Sequence, residues 1–108
     1  MDTRRDIFQA IADPTRRAII LFLTVGALTP NTIAEHFKSS RQAVSKHLKV
    51  LTECEVVRQE RQGREIFYSL NAAKMKEVEK WIEEFKQLMS KRFNQLDAVL
   101  KRLKSEKK

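Results

Sequence analysis

Between residues 29 and 70 the chain carries two helix starts about ten residues apart and then a strand-turn-strand pattern, an order that few folds accommodate in so short a stretch. Thr29 is placed to accept a hydrogen bond from an orphan amide of a first turn, Pro30 stands where no N–H is needed, and Leu28 can staple onto Ile33. A second start follows Phe37. Ser39 and Gln42 have the spacing of a Ser-x-x-Gln capping box, and Val44, Leu48 and Leu51 recur at i, i+4 and i+7 to form one apolar stripe. Off that stripe Arg41, Gln42, Ser45, Lys46 and Lys49 face outward. Residues 56–61 and 65–70 are rich in β-branched and aromatic types, with Gln62-Gly63 as the turn between them and Ile66, Tyr68 and Leu70 alternating onto one face. A two-residue loop sets Glu60 opposite Glu65, whereas a three-residue loop sets Arg61 there, the better charge pairing. In both registers Arg61 and Arg64 flank the tip.

A helix pair followed by a hairpin with a cationic tip suits a reader of double-stranded DNA. The outward residue types of the second helix are those that hydrogen-bond base edges and phosphates in a major groove. Candidate DNA contacts are therefore Ser39, Ser40, Arg41, Gln42, Ser45, Lys46, His47 and Lys49 on this recognition helix. On the hairpin, a wing able to reach phosphates beside the groove, they are Arg58, Arg61, Gln62 and Arg64. A formal charge of +8, from 22 Lys and Arg against 14 Asp and Glu, agrees with a polyanionic partner because it coincides with these elements. The lone cysteine, Cys54, excludes an internal disulfide and any multi-cysteine metal site within one chain; beside Val56 and Val57 it reads as a packed core thiol, and the cytoplasm as the compartment.

The chain reads as one domain over residues 1–108, with a DNA-binding part at 13–70 and a dimerisation helix at 72–104. Two glycines and two prolines imply mostly helix. Ile7, Phe8 and Ile11 make a short first helix, and Asp13-Pro14 caps a second, ending near Val25 before Gly26 and apolar nearly all round, as a central core helix would be. Its run from Ala18 to Leu23 behind Arg16-Arg17 resembles a secretory leader, but it is shorter than the ~20 residues a bilayer requires, so no membrane partner is expected.

Asn71 can cap the last helix, whose apolar residues Met75, Val78, Ile82, Phe85, Met89, Phe93, Leu96, Leu100 and Leu103 are spaced by alternating threes and fours, with one extra four between Met89 and Phe93. At 1.5 Å per residue this helix is roughly 50 Å long, against a body of about 28 Å for the preceding residues. Its far end has no core of its own, so a second copy of the chain is the expected cover. The expected interface is Ile7, Phe8, Val78, Ile82, Phe85, Met89, Phe93, Leu96 and Leu100.

The chain resembles the ArsR-type winged helix-turn-helix repressors over nearly its full length. The resemblance rests on Ala12-Asp13-Pro14-Thr15-Arg16-Arg17, Ile33-Ala34-Glu35-His36-Phe37, Ser45-Lys46-His47-Leu48-Lys49-Val50-Leu51, and Arg61-Gln62-Gly63-Arg64 leading to Tyr68-Ser69-Leu70. It implies a mainly α fold with a small β-hairpin (α-α-α-α-β-β-α), and a homodimer that binds a palindromic operator and represses transcription, with residues 40–49 in the major groove and 61–64 as the wing. Metal-sensing members carry Cys-x-Cys before the recognition helix or Asp, His and Glu ligands along the final one. Here that place reads Ile33-Ala34-Glu35-His36-Phe37, and the final helix has neither histidine nor cysteine. His36, His47 and Cys54 do not assemble three or four convergent ligands, so the metal-independent branch fits, with no cofactor and with any small-molecule inducer unnamed by the sequence. Asp13, Glu35 and Glu53 are scattered acids, and neither a phosphate loop nor a nucleophile–base pair is present, which argues against an enzyme. The rival readings are a winged-helix protein-interaction adaptor, which would more often expose apolar anchors where residues 41–49 are basic, and an unspecific DNA-binding protein.

Overall fold

The computed structural model describes residues 6–106. Five helices and one hairpin follow in the order α1 (Ile7–Ala10), α2 (Pro14–Phe22) continued by a 3₁₀ turn (Leu23–Val25), α3 (Pro30–Phe37), α4 (Arg41–Glu53), β1 (Val57–Gln62), β2 (Glu65–Leu70) and α5 (Ala72–Glu106). This is the winged helix-turn-helix order. The chain divides between Glu77 and Val78 into two compact units, so residues 72–77 of α5 belong with the elements before them.

In the first unit each helix start is chemically marked. Asp6 and Gln9 form a reciprocal capping box on α1, Asp13 accepts the amide of Arg16 at 2.9 Å with Pro14 behind it, and Thr29 accepts that of Thr32 at 3.2 Å with Pro30 behind it. The side chains of Arg16 and Arg17 turn back to the carbonyls that end α1: Arg16 donates to Ala10 at 2.8 Å and to Gln9 at 3.0 Å, and Arg17 to Ile11 at 2.7 Å. These are acceptors a helix C-terminus leaves without internal partners.

The core gathers Ile7 and Ala10 of α1, Ile19 and Ile20 of α2, Ile33 of α3, the stripe Val44, Leu48 and Leu51 of α4, and Val56 and Val57 entering β1, with Cys54 packed among them. Burying each large member of that set is worth ~1.5–3 kcal/mol. Two sequence expectations change here. Ile7, expected between two chains, is fully enclosed and has no surface left for a partner. The second helix is not apolar on all sides of a core, because Leu21 and Val25 are 70% and 72% exposed. The regular α-helix also stops at Phe22, with Gly26 at φ 140 ending the 3₁₀ turn.

The link between α3 and α4 is three residues long, and its geometry moves the expected cap. Lys38 is left-handed at φ 51, and the amide of Ser39 reaches back to the carbonyl of Ala34 at 2.9 Å, closing α3. With Ser39 used there, Ser40 caps α4 by accepting the amide of Ala43 at 3.1 Å. The Ser39–Gln42 capping box therefore does not form. The same closure ends α4: Glu55 is left-handed at φ 62 and the amide of Val56 reaches the carbonyl of Leu51 at 2.9 Å.

The hairpin pairs Val57 with Leu70 and continues through Gln59 with Tyr68 and Arg61 with Ile66 to Gln62 with Glu65. Neither expected register occurs. The loop is Gly63-Arg64, with Gly63 at φ 67 and Arg64 not in the positive-φ region. That sign pattern is the one a type II′ turn needs, and it follows the twist of the strands. Ile66, Tyr68 and Leu70 do share a face with Val57, as their alternation predicts. The hairpin is moored by Leu28 and Tyr68, which exchange backbone bonds of 3.0 and 2.8 Å. At the start of α5 the carbonyl of Asn71 accepts the amide of Met75 at 3.3 Å, as that of an N-cap residue does, and its side-chain amide holds the carbonyl of Glu55 at 2.9 Å.

In the second unit α5 runs unbroken to Glu106, and its apolar side chains remain in solvent: Trp81, Ile82, Phe85, Leu88, Phe93, Leu96, Val99, Leu100 and Leu103 are all exposed, while Met89 is half-buried. Trp81 and Phe85 stack with centroids 5.7 Å apart.

The left-handed residue after α4 generates a prediction. Glu55→Gly removes the Cβ clash of that conformation, about 1 kcal/mol less the greater freedom of glycine in the unfolded chain. The variant should be more stable than wild type by about 0.5 kcal/mol in urea titration, while Glu55→Val, β-branched, should be clearly less stable.

Candidate nucleic-acid interface

The buried stripe of α4 dictates which side of that helix meets solvent. With Val44, Leu48 and Leu51 at most 2% exposed, Arg41, Gln42, Ser45, Lys46 and Lys49 all lie in solvent. Ser39 and Ser40, in the turn before the helix, are exposed as well. On the hairpin Arg58, Arg61 and Gln62 are exposed along β1, and Arg64 stands in the loop itself. Among the described residues none of these cations is engaged in an ion pair. Their charges are free for an anion.

His47 is the least exposed of the candidate contacts on α4. It is half-buried, and its Nδ1 lies 3.9 Å from Oδ2 of Asp13 at the start of α2. The reason is helical phase: His47 follows Val44 by three residues and precedes Leu51 by four, which places it on the flank of the buried stripe. His36 is likewise engaged, stacked on Phe22 at 3.9 Å and 11°, with Phe37 edge-on to both rings. Among the described residues no group of three His, Cys, Asp or Glu could hold a metal ion. No helix among them is long and apolar enough to cross a membrane.

Trp81, Leu88 and Val99, which the heptad-like spacing of α5 does not single out, widen its exposed apolar surface beyond one seam; their own separations of seven and eleven residues are the signal that could have found them. The use of Arg16 and Arg17 as clamps on α1 has no such signal in the sequence.

A capped helix with a polar and basic outer side, following a short turn and preceding a hairpin with arginines at its tip, defines a winged helix-turn-helix DNA-binding protein. A helix-turn-helix domain family matches residues 11–60. The transcriptional repressor SdpR of Bacillus subtilis is 41% identical over 80 residues, which span 74% of this chain and 89% of that protein. The crystal structure of an ArsR family transcriptional regulator superposes with a TM-score of 0.68 at 33% identity, over 78% of this chain and 87% of that one. An ArsR-like transcriptional regulator from Rhodococcus sp. RHA1 superposes with a TM-score of 0.74 at 27% identity, over 88% and 87% of the two chains. The chain belongs to the ArsR family of winged helix-turn-helix regulators, and it is a DNA-binding transcriptional regulator.

Asp13 supplies a prediction about pH. The amide of Arg16 is the main cause that holds its carboxyl below the usual carboxylate range; partial burial opposes it, and the charges of His47 and Arg16 reinforce it. A carboxyl lowered by folding stabilises the native state above its unfolded value and loses that contribution as pH falls through the lowered value. Stability measured from neutral pH down to pH ~2 should therefore fall less steeply in Asp13→Asn, which keeps a capping acceptor but does not titrate. An identical slope in the two proteins would show that the cap carries no linkage.

Proposed function

We propose that this protein is a homodimeric, cytoplasmic repressor that binds a palindromic operator, with α4 reading bases and the hairpin gripping the backbone. The observation that carries the reading is the outer side of α4, where Arg41, Gln42, Ser45, Lys46 and Lys49 are exposed together on a helix fixed by its buried stripe. Arg41 and Gln42 stand in the first turn, from which side chains of a docked helix reach base edges. Ser39 and Ser40 before the helix, with Lys46 and Lys49, are placed for phosphates, as are Arg58, Arg61, Gln62 and Arg64. No apolar anchor stands among the outward side chains of α4, which disfavours a protein-interaction adaptor. No catalytic role and no resident metal is proposed, and any inducer is left open.

The dimer reading rests on α5. Large side chains exposed in line on one helix are unusual for a monomer, and Val78, Ile82, Phe85, Met89, Phe93, Leu96 and Leu100, with Trp81, Leu88 and Val99, offer a surface a second copy can cover; Phe8 in the first unit, 41% exposed, is a separate candidate contact. A two-fold pair would set recognition helices whole turns of duplex apart, about 34 Å or a multiple of it.

Selection from a random duplex pool tests the reading directly: a palindromic consensus is expected, and no enrichment would leave unspecific binding. On the selected duplex, Arg41→Ala and Gln42→Ala should each cost ~1–3 kcal/mol and relax base preference. Arg61→Ala and Arg64→Ala should weaken all sequences alike and make the salt slope shallower by ~0.9 for each phosphate no longer neutralised. Base preference that changes with the wing variants but not with those on α4 would reverse the assignment.

The interface has its own test. Phe85→Glu with Leu96→Glu would bury unpaired carboxylates between the chains, a costly desolvation, and should give a folded monomer that no longer binds the full palindrome. Sedimentation and gel-shift assays read both properties. A monomer with undiminished affinity would rule out the dimer as the binding species.

A further inference from the structure

His47 is an ionisable side chain on the recognition helix that faces away from the groove. On a helix that turns about 100° per residue, it lies roughly 150° from the middle of the arc formed by Gln42, Ser45, Lys46 and Lys49. A groove that receives that arc leaves the imidazole on the protein side. What it meets there is the carboxylate of Asp13, at 3.9 Å, with the two side chains 26% and 34% exposed.

Asp13 is itself a fixed point. The same Oδ2 accepts the amide of Arg16 at 2.9 Å, and the arginine side chains that follow hold the end of α1 through the carbonyls of Gln9, Ala10 and Ile11. Elsewhere α4 is located by apolar packing of Val44, Leu48 and Leu51 and by the turns at its two ends, each closed by a backbone bond. That packing fixes which side of α4 meets solvent, while a rotation of a few degrees still leaves the three side chains covered. A polar contact on the flank of the stripe adds a restraint against that small rotation. Base contacts tolerate only roughly 10–20° of misorientation, so rotation of this helix is the coordinate that specificity depends on.

We propose that Asp13 is a positioning residue for DNA reading: through His47 it fixes the rotation of α4, and so determines how Arg41 and Gln42 are presented to base edges, without touching DNA. The proposal rests on α4 being the helix that reads bases. It adds a role to the N-cap of α2 that capping alone does not require, since an uncharged acceptor would cap as well.

A double-mutant cycle decides it. Asp13→Asn keeps a capping acceptor and removes the charge, and His47→Gln removes the imidazole. Affinities of wild type, each single variant and the double variant are measured for the selected duplex and for a scrambled duplex of the same length, together with melting temperatures and amide exchange along α4 in the free protein. Each single variant should lose preference for the selected duplex by about tenfold with affinity for the scrambled duplex little changed, although only Asp13→Asn forfeits the stabilising carboxylate and melts lower, and the double variant should show no weaker preference than either single one. Additive losses, or losses that track melting temperature, would overturn the proposal, as would full preference in Asp13→Asn. Wild type without preference for any duplex would instead sink the reading of α4. The cycle is then scored on amide exchange alone, where non-additive changes support the tie and additive ones overturn it.

Discussion

Burial of Val44, Leu48 and Leu51 is the constraint from which the rest of the first unit follows. These three side chains, nearly inaccessible to solvent, seat α4 against α2, α3 and β1. Because a helix has one phase, the same burial that stabilises the unit also turns Gln42, Ser45, Lys46 and Lys49 outward, while Arg41 is exposed in the open first turn. Stability and function are then two sides of one cylinder. A change in which residues α4 buries would alter both at once.

The elements around α4 are held by polar devices at their ends rather than by further apolar area. Asp13, Thr29 and Ser40 each satisfy an amide of the helix they precede. Lys38 and Glu55 adopt the left-handed conformation to close α3 and α4, a task more often given to glycine. The chain has only two glycines, and it uses them where positive φ is also required, at Gly26 after the 3₁₀ turn and at Gly63 in the hairpin loop. The strain of two non-glycine closures falls on either side of α4. There they fix where it starts and stops to the residue.

The second unit obeys different physics. From Val78 onward α5 has side chains of its own to form i, i+4 pairs, such as Lys101 with Asp97 at 3.4 Å, but little in its own surroundings to bury Phe93, Leu96 or Leu103. In proteins most helical stability comes from packing of an apolar face rather than from propensity. The regularity of α5 across residues 78–106 fits an element made to be completed by another surface, which is why its exposed residues, and not a pocket, carry the dimer proposal.

Much of this was written in the order of residues. The helix starts at Pro14 and Pro30, the stripe of α4, the hairpin and the long last helix are all local patterns, set by propensity, capping chemistry and hydrophobic period, and these act over a few residues along the chain. The tertiary structure decided what local rules leave degenerate. Ser39 and Ser40 are equally good caps until the closure of α3 claims the amide of Ser39. The hairpin register depends on mooring by Leu28 and on the turn at Gly63-Arg64 rather than on the charge pair at the tip. Ile7 and Phe8 are interchangeable as sequence, yet one is enclosed and the other 41% exposed. His47 reads as one more polar residue of a DNA-facing helix until α2 sets a carboxylate beside it. In each case the sequence determined the chemistry a residue could perform, and long-range packing determined which partner was within reach, because distances between elements are fixed only when the whole core closes.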